Sequence, residues 1–349
     1  MNLKSLFVLL VVLTLVACKK KQEPEVLLTE TQTFQNPLLL HGPDPWVFQK
    51  GDTYYLTHST GNSLKIYRTK NMSKLGEAES KVVWTPPATG MNSKEIWAPE
   101  IHFVNNKWYT YYAGDDGKND NHRMWVLENE SPDPFEGTWV DKGKMNLADD
   151  RWAIDGSVFE HNGQLYFVWS GWEGSVNKRQ DIYISKLSNP WTADGARVLI
   201  SKPELEWEVK GTSDELPTVN EGPQFLKKGN KLFIVYSASG CWTDDYTLGI
   251  LTASADADLM SPASWVKSQQ PVFSKNPEGH VFGPGHNSFF KSPDGTEDWI
   301  IYHANPEAGQ GCGNNRSARM QPFTWNDDGP VFGMPVSLDT PLPVPSGEK

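Results

Sequence analysis

Asp155-Gly156-Ser157-Val158-Phe159, followed by the turn His161-Asn162-Gly163 and then by Leu165-Tyr166-Phe167-Val168-Trp169, is the clearest copy of a pattern that occurs five times in this chain. An apolar or aromatic segment, a tight polar turn whose Gly, Asn or Asp permits positive φ, and a second segment rich in β-branched and aromatic residues together specify a β-hairpin. The copies begin at Asp44, Pro99 (with Glu100 next), Asp155, Glu221 and His286. Four residues further on each has a phenylalanine: Phe48, Phe103, Phe159, Phe225 and Phe290.

Successive starts are 55, 56, 66 and 65 residues apart. Each hairpin is followed by a variable loop and a third strand candidate, as at 64–68, 123–128, 182–186 and 248–252, with room for a fourth. A period of this length with about four strands per unit is the signature of a β-propeller. Twenty strands in one open sheet would be unreasonable, whereas radial repetition leaves only short edges. The expected fold is therefore all-β: one five-bladed β-propeller of four-stranded blades over residues 34–349. No long helical periodicity follows residue 17. Residues 74–81 and 203–215 are polar enough for loops or short turns, and 114–122, 171–180 and 204–219 are candidate rim loops.

Residues 1–17 carry one charge, Lys4, followed by an apolar run at 6–16. That is the pattern of an export signal, too short for a comfortable membrane span. Leu15-Val16-Ala17-Cys18 resembles a bacterial lipobox, so Cys18 is expected to be acylated, with 18–33 as a polar tether. The alternative is a plain signal peptide with an incidental cysteine. The expectation is an exported protein held in the periplasm or outer membrane by a lipid anchor. Of three cysteines, Cys241 and Cys312 remain. Both lie shortly after the second strand of adjacent repeats, and a disulfide and two separate thiols are both open. The formal net charge of −11, with no basic stripe to meet phosphates, argues against a nucleic-acid partner. Aromatic residues make up 12% of the chain, with 15 Trp. Packing between sheets and stacking on sugar rings both account for that excess.

In a propeller the innermost strands line the central axis, so equivalent positions form a ring. Asp44, Asp155 and Glu221 should converge at one mouth of the tunnel. Clustered, buried carboxyl groups cannot all stay ionised, and at least one pKa should rise. Glycoside hydrolysis needs that asymmetry: one carboxylic acid protonates the leaving oxygen, and one carboxylate activates water or attacks. Turn capping by Asp44-Pro45 and Asp155-Gly156 is the structural alternative. His286, flanked by glycines, is either a candidate for an ion site or a polar residue closing the tunnel. Trp97 is placed to stack on a sugar at the rim, or simply to pack. Arg319 is placed to bind sugar hydroxyls and to lower a neighbouring carboxyl pKa, or to make a surface salt bridge.

Five motifs, Gly42-Pro43-Asp44-Pro45, Trp97-Ala98-Pro99-Glu100, Ile154-Asp155-Gly156-Ser157, Asn220-Glu221-Gly222-Pro223 and Gly283-Pro284-Gly285-His286-Asn287-Ser288, occur in order at blade spacing. Across residues 36–336 the chain resembles glycoside hydrolase family 43. The resemblance implies a five-bladed propeller and inversion at the anomeric carbon. It makes Asp44 the general base, Glu221 the general acid and Asp155 the residue that raises the acid's pKa and orients it. No cofactor is implied for the chemistry. His286 matches a histidine that holds calcium or another ion on the axis through water. Substrates would be arabinose- or xylose-containing polysaccharides or oligosaccharides. The tail at 239–246 looks most like α-L-arabinofuranosidases, which release terminal arabinofuranose from arabinan or arabinoxylan. β-Xylosidase and endo-arabinanase activities are alternatives, and a non-catalytic glycan-binding propeller is the rival of another class.

Overall fold

The computed structural model describes residues 32–349; the proposed signal, Cys18 and nearly all of the tether lie outside them. Among the described residues no helix is long and apolar enough to cross a membrane. The chain is a five-bladed β-propeller. Each blade is an antiparallel run of four strands in chain order, from the axis outward. The innermost strands are Trp46–Lys50, Lys94–Val104, Ala153–His161, Thr218–Lys228 and Phe282–Lys291. Blades three and four are also joined edgewise, because Arg179 and Gln180 pair in parallel with Thr218 and Val219.

Both faces of each blade are covered by a neighbour, and five apolar clusters fill the gaps between blades. Phe159 stacks on Phe225 at 4.1 Å between blades three and four. Tyr54, Phe290 and Trp299 share the gap between blades five and one. Full burial of such a side chain contributes roughly 1.5–3 kcal/mol. Trp108, Trp169, Trp172 and Trp299 are completely enclosed, so much of the aromatic excess serves packing.

The ring is closed without exchanging a blade strand between the two ends of the fold. Thr33–Phe34 pairs with Leu342–Pro343. The segment after it runs along blade five: Leu38 N–H donates to the Ala318 carbonyl at 2.8 Å, and Ala318 N–H to that of Leu39 at 3.0 Å. The Asn36 amide brackets Met320 through both its atoms. The stretch at 74–81 is less irregular than its polarity suggests. A short 3₁₀ turn covers Met72–Glu77, and Glu79–Trp84 is the outer strand of blade one. Only its last two residues, Val83 and Trp84, pack inward; the exposed remainder of an outermost strand needs no apolar alternation, so the pattern carries little strand signal.

Candidate active site

The ring positions are built by a backbone device that repeats from blade to blade. In blades two to five the inner strand carries a register shift, between Trp97 and Glu100, Ile154 and Ser157, Glu221 and Gln224, and Gly285 and Ser288. Each shift contains a residue in the left-handed region: Ala98 at φ 40°, Asp155 at 55°, Gly222 at 56° and His286 at 48°. Asp44, two residues before the inner strand of blade one, has φ 57°. Such residues cost roughly 1–3 kcal/mol each outside glycine and concentrate at functional sites. A bulge re-aims the side chain it carries.

This register corrects the alignment made from the phenylalanine spacing. The positions equivalent to Asp155 are Ala98 and Gly222, not Pro99 and Glu221. The bulge is the same in each blade, but in blade two Phe103 lies one residue farther from it than Phe159 does in blade three, and in blade four Phe225 lies one residue closer. Glu221 therefore precedes its bulge and approaches the ring from one residue away. Gly222 occupies the ring position beside the His286 imidazole, where a Cβ would lie 3.3–3.4 Å from the ring atoms. With no side chain of its own there, Gly222 gives its N–H to Asp155 Oδ2 at 3.0 Å.

The three carboxylates do come together. Asp155, Glu221 and His286 each present an atom within 4.8 Å of the others, and His286 Nδ1 is 3.3 Å from Asp44 Oδ1. Asp44 also accepts from Arg316 Nη1 at 2.9 Å and from the Ser59 hydroxyl at 2.6 Å. The backbone N–H of Asp44 donates to His303 Nδ1 at 3.0 Å. That nitrogen is therefore an acceptor, and its 3.3 Å approach to Asp44 Oδ1 is not an ion pair. Burial agrees, pushing His303 down to about 4. Glu221 Oε1 accepts from the buried Tyr246 hydroxyl at 2.7 Å. Tyr246 lies flat against the His303 ring, in space that exists because residue 285 is glycine; a Cβ there would be 2.3 Å from the Tyr246 ring.

The environments separate the carboxyl groups. Burial alone would raise Asp44, but Arg316 and His286 outweigh it and hold that carboxyl well below the usual range. Burial raises Asp155, with the charges of Glu221 and Asp44 adding to it against the opposing pull of His286. Burial likewise raises Glu221, although His286 and the Tyr246 hydroxyl pull the other way. Burial lowers His286, but the carboxyl groups of Asp44, Asp155, Glu221 and Glu100 prevail and raise it. One carboxylate held ionised beside carboxyl groups biased towards protonation is the arrangement acid–base chemistry uses. Because the Tyr246 hydroxyl favours the ionised form of Glu221, Tyr246→Phe should raise the Glu221 pKa. The alkaline limb of a kcat–pH profile should then move to higher pH; an unmoved limb would dissociate that limb from Glu221.

The other two expected site residues fare differently. Trp97 is half-buried, with one face stacked on His122 at 4.0 Å and its indole N–H donated to Glu95. His122 is itself held 2.9 Å from Asp115. Arg319 is not a site residue. It is completely buried, and its guanidinium is occupied by the Ser317 hydroxyl and the carbonyls of His280 and Ala304. The arginine that meets a carboxylate is Arg316, three residues earlier, in the glycine- and asparagine-rich loop before the strand Ser317–Trp325. Tyr246 and Arg316 stand on the loops between the second and third strands of blades four and five. Cys241 and Cys312 cross-link those loops as a disulfide. Asp244 Oδ1 also accepts the Gly309 N–H at 2.8 Å.

The chain belongs to the glycosyl hydrolases family 43, whose sequence profile matches residues 34–331. It is 39% identical over 315 residues to an extracellular exo-α-(1→5)-L-arabinofuranosidase of Streptomyces avermitilis, covering 87% of this chain and 64% of that one. Identity to a protein of the same name from Streptomyces chartreusis is 37% over 276 residues, covering 78% and 82%. The crystal structure of an α-L-arabinofuranosidase from Lactobacillus brevis matches with a TM-score of 0.82 at 37% identity, over 88% of this chain and 98% of that one. The chain thus spans about two thirds of the Streptomyces avermitilis relative and nearly all of the Lactobacillus one.

Proposed function

We propose that this protein is an inverting glycoside hydrolase that releases terminal α-L-arabinofuranose from arabinan- or arabinoxylan-type chains. The observation that carries it is the division of charge at the tunnel mouth. Asp44 is kept ionised by Arg316 and His286, while Glu221 is biased towards its protonated form. Asp44 serves as the base: it takes a proton from the water that attacks the anomeric carbon. Glu221 is the acid and protonates the departing glycosidic oxygen. Asp155, bound to the Gly222 N–H, orients Glu221 and opposes its ionisation. The names of the relatives above favour arabinofuranose as the sugar released, and the half-buried face of Trp97 is the proposed stacking surface.

Digestion of debranched arabinan tests both the activity and its mode. The expected product is arabinose monomer from the earliest time points. A ladder of oligomers would replace exo by endo action, and binding without any cleavage would make the propeller a glycan receptor. Proton NMR of the first-formed sugar should show the β anomer; an α product would rule out inversion.

Two further assignments are part of the proposal. The residues on the axis fit an ion held through water by His286 in its neutral form, the ion's charge then taking the place of the imidazolium's beside the carboxyl groups. Next to it Asn287 is buried, with neither side-chain amide atom hydrogen-bonded among the described residues, and Asp155 and Glu221 are close by. Such an ion, calcium for example, would hold the positions of side chains on the axis; metal analysis of the purified protein would detect it. Export with acylation at Cys18 rests on Leu15-Val16-Ala17-Cys18, and mass spectrometry of the mature N-terminus would reveal the lipid or its absence.

A further inference from the structure

Glu208 is a completely buried carboxylate on the loop that connects blades three and four. Five donor groups meet it. The N–H groups of Glu204 and Leu205 each donate to Oε2 at 3.0 Å. Asn220 Nδ2 donates to Oε1 at 3.1 Å and the Tyr236 hydroxyl at 2.9 Å. Lys267 Nζ lies 2.9 and 3.0 Å from the two oxygens. Lys267 also donates to the Lys202 carbonyl. Burial alone would raise the Glu208 carboxyl, but the two backbone N–H groups and Lys267 hold it below its ordinary value.

A buried ion pair is a weak source of stability, since removing two charges from water offsets most of their attraction. Anchoring a loop would not require one. What this pair does have is a direct link to the chemistry: Asn220, which donates to Glu208, is the residue before Glu221. Asn220 is completely buried and held on three sides. Its Nδ2 goes to Glu208, its Oδ1 accepts from the Ser201 hydroxyl at 2.7 Å, and its carbonyl accepts from the Ser170 hydroxyl at 2.8 Å. Among the described residues the Glu221 carboxyl has one hydrogen-bond partner, Tyr246, and its backbone, paired with Ser237, is the last step of the ladder before the bulge. Its placement therefore rests on that last pairing and on the residues on either side. Gly222 is held by Asp155, and Asn220 is held by Glu208.

We propose that Glu208 is a positioning residue for the proton donor, acting through Asn220 to set where the Glu221 carboxyl stands relative to the departing oxygen. The assignment rests on Glu221 being that donor. Proton donation matters for an alkoxide leaving group and little for nitrophenolate, which departs unaided. Misplacing the donor should therefore discriminate between substrates, whereas general loosening of the fold should not.

The test compares kcat/KM of Glu208→Gln, Asn220→Ala and Glu221→Gln on arabinotriose and on 4-nitrophenyl α-L-arabinofuranoside, with thermal melting of each variant. The Glu208 and Asn220 variants are expected to lose about 10–100-fold on arabinotriose and no more than about threefold on the nitrophenyl glycoside. Equal losses on both substrates, or no loss on either, would overturn the positioning role. If Glu208→Gln fails to fold, Asn220→Ala, which leaves the ion pair in place, carries the comparison. Glu221→Gln is the benchmark. If it does not discriminate between the substrates, the proton-donor assignment falls and the positioning role with it; if it does and the other two do not, only the positioning role falls.

Discussion

Glu221→Gln should hydrolyse arabino-oligosaccharides about 10²–10⁴-fold more slowly than the native protein, with the loss in kcat rather than in KM. That range is the usual contribution of one positioned general acid, and corresponds to about 3–5 kcal/mol of activation free energy. Glutamine keeps the shape of the side chain and an oxygen to accept from Tyr246, so substrate should still bind. The substitution removes a carboxyl group whose ionisation already costs free energy through burial, and the fold should melt no earlier than the native protein. With Glu221 as the proposed acid, the alkaline limb of the kcat–pH profile should disappear, because its deprotonation on raising the pH would abolish proton donation. A variant with native activity on oligosaccharide would remove Glu221 from the mechanism.

Asp44→Asn should give a comparable loss, about 10²–10⁴-fold, but on every substrate. Activation of water is required whatever departs, so a better leaving group cannot compensate. The sign of the pH dependence also differs. In its proposed role Asp44 works as the carboxylate, and its pKa is held well below the ordinary range, so the acid limb should lie at strongly acidic pH. Neutralising Asp44 leaves the Arg316 guanidinium and His286 facing an amide, and that unpaired positive charge should destabilise the fold. Thermal melting of Asp44→Asn should therefore fall while that of Glu221→Gln does not. Selective recovery of Asp44→Asn on the nitrophenyl glycoside would exchange the roles of the two residues.

The fold was legible in the sequence because each blade repeats the same hairpin grammar, with a phenylalanine near the axis and a polar turn after it. The three site carboxylates were legible because an inner strand places its first residues at the tunnel mouth. The register was not. The phenylalanine stands at a different distance from the bulge in different blades, and only strand pairing reveals that Gly222, not Glu221, is the counterpart of Asp155. Arg316 was missed for a related reason. It lies in the loop 306–316, whose path follows from a disulfide and from Asp244 rather than from periodicity. Arg319, on a regular strand, was the more visible arginine and the wrong one. Tyr246 stood within a segment singled out for its resemblance to arabinofuranosidases, but nothing in its spacing showed that its hydroxyl would reach Glu221. Glu208 lay in a stretch read as polar loop, because a buried charge and an exposed one look alike until their partners are known.

The bond between Cys241 and Cys312 ties the shape of the candidate site to an oxidising compartment. It spans 71 residues, and closing a loop of that length restricts the unfolded chain by about 4 kcal/mol at room temperature. Its more specific effect is on two loops that each bring one group to the candidate site: Tyr246 to Glu221, and Arg316 to Asp44. A reducing cytosol keeps such thiols apart. Protein made there would contain every residue of the site without the clasp across its wall. The form of the candidate site thus depends on where the chain is made as well as on what it is made of, and a preparation should be judged by its free-thiol content before its turnover is compared with another's.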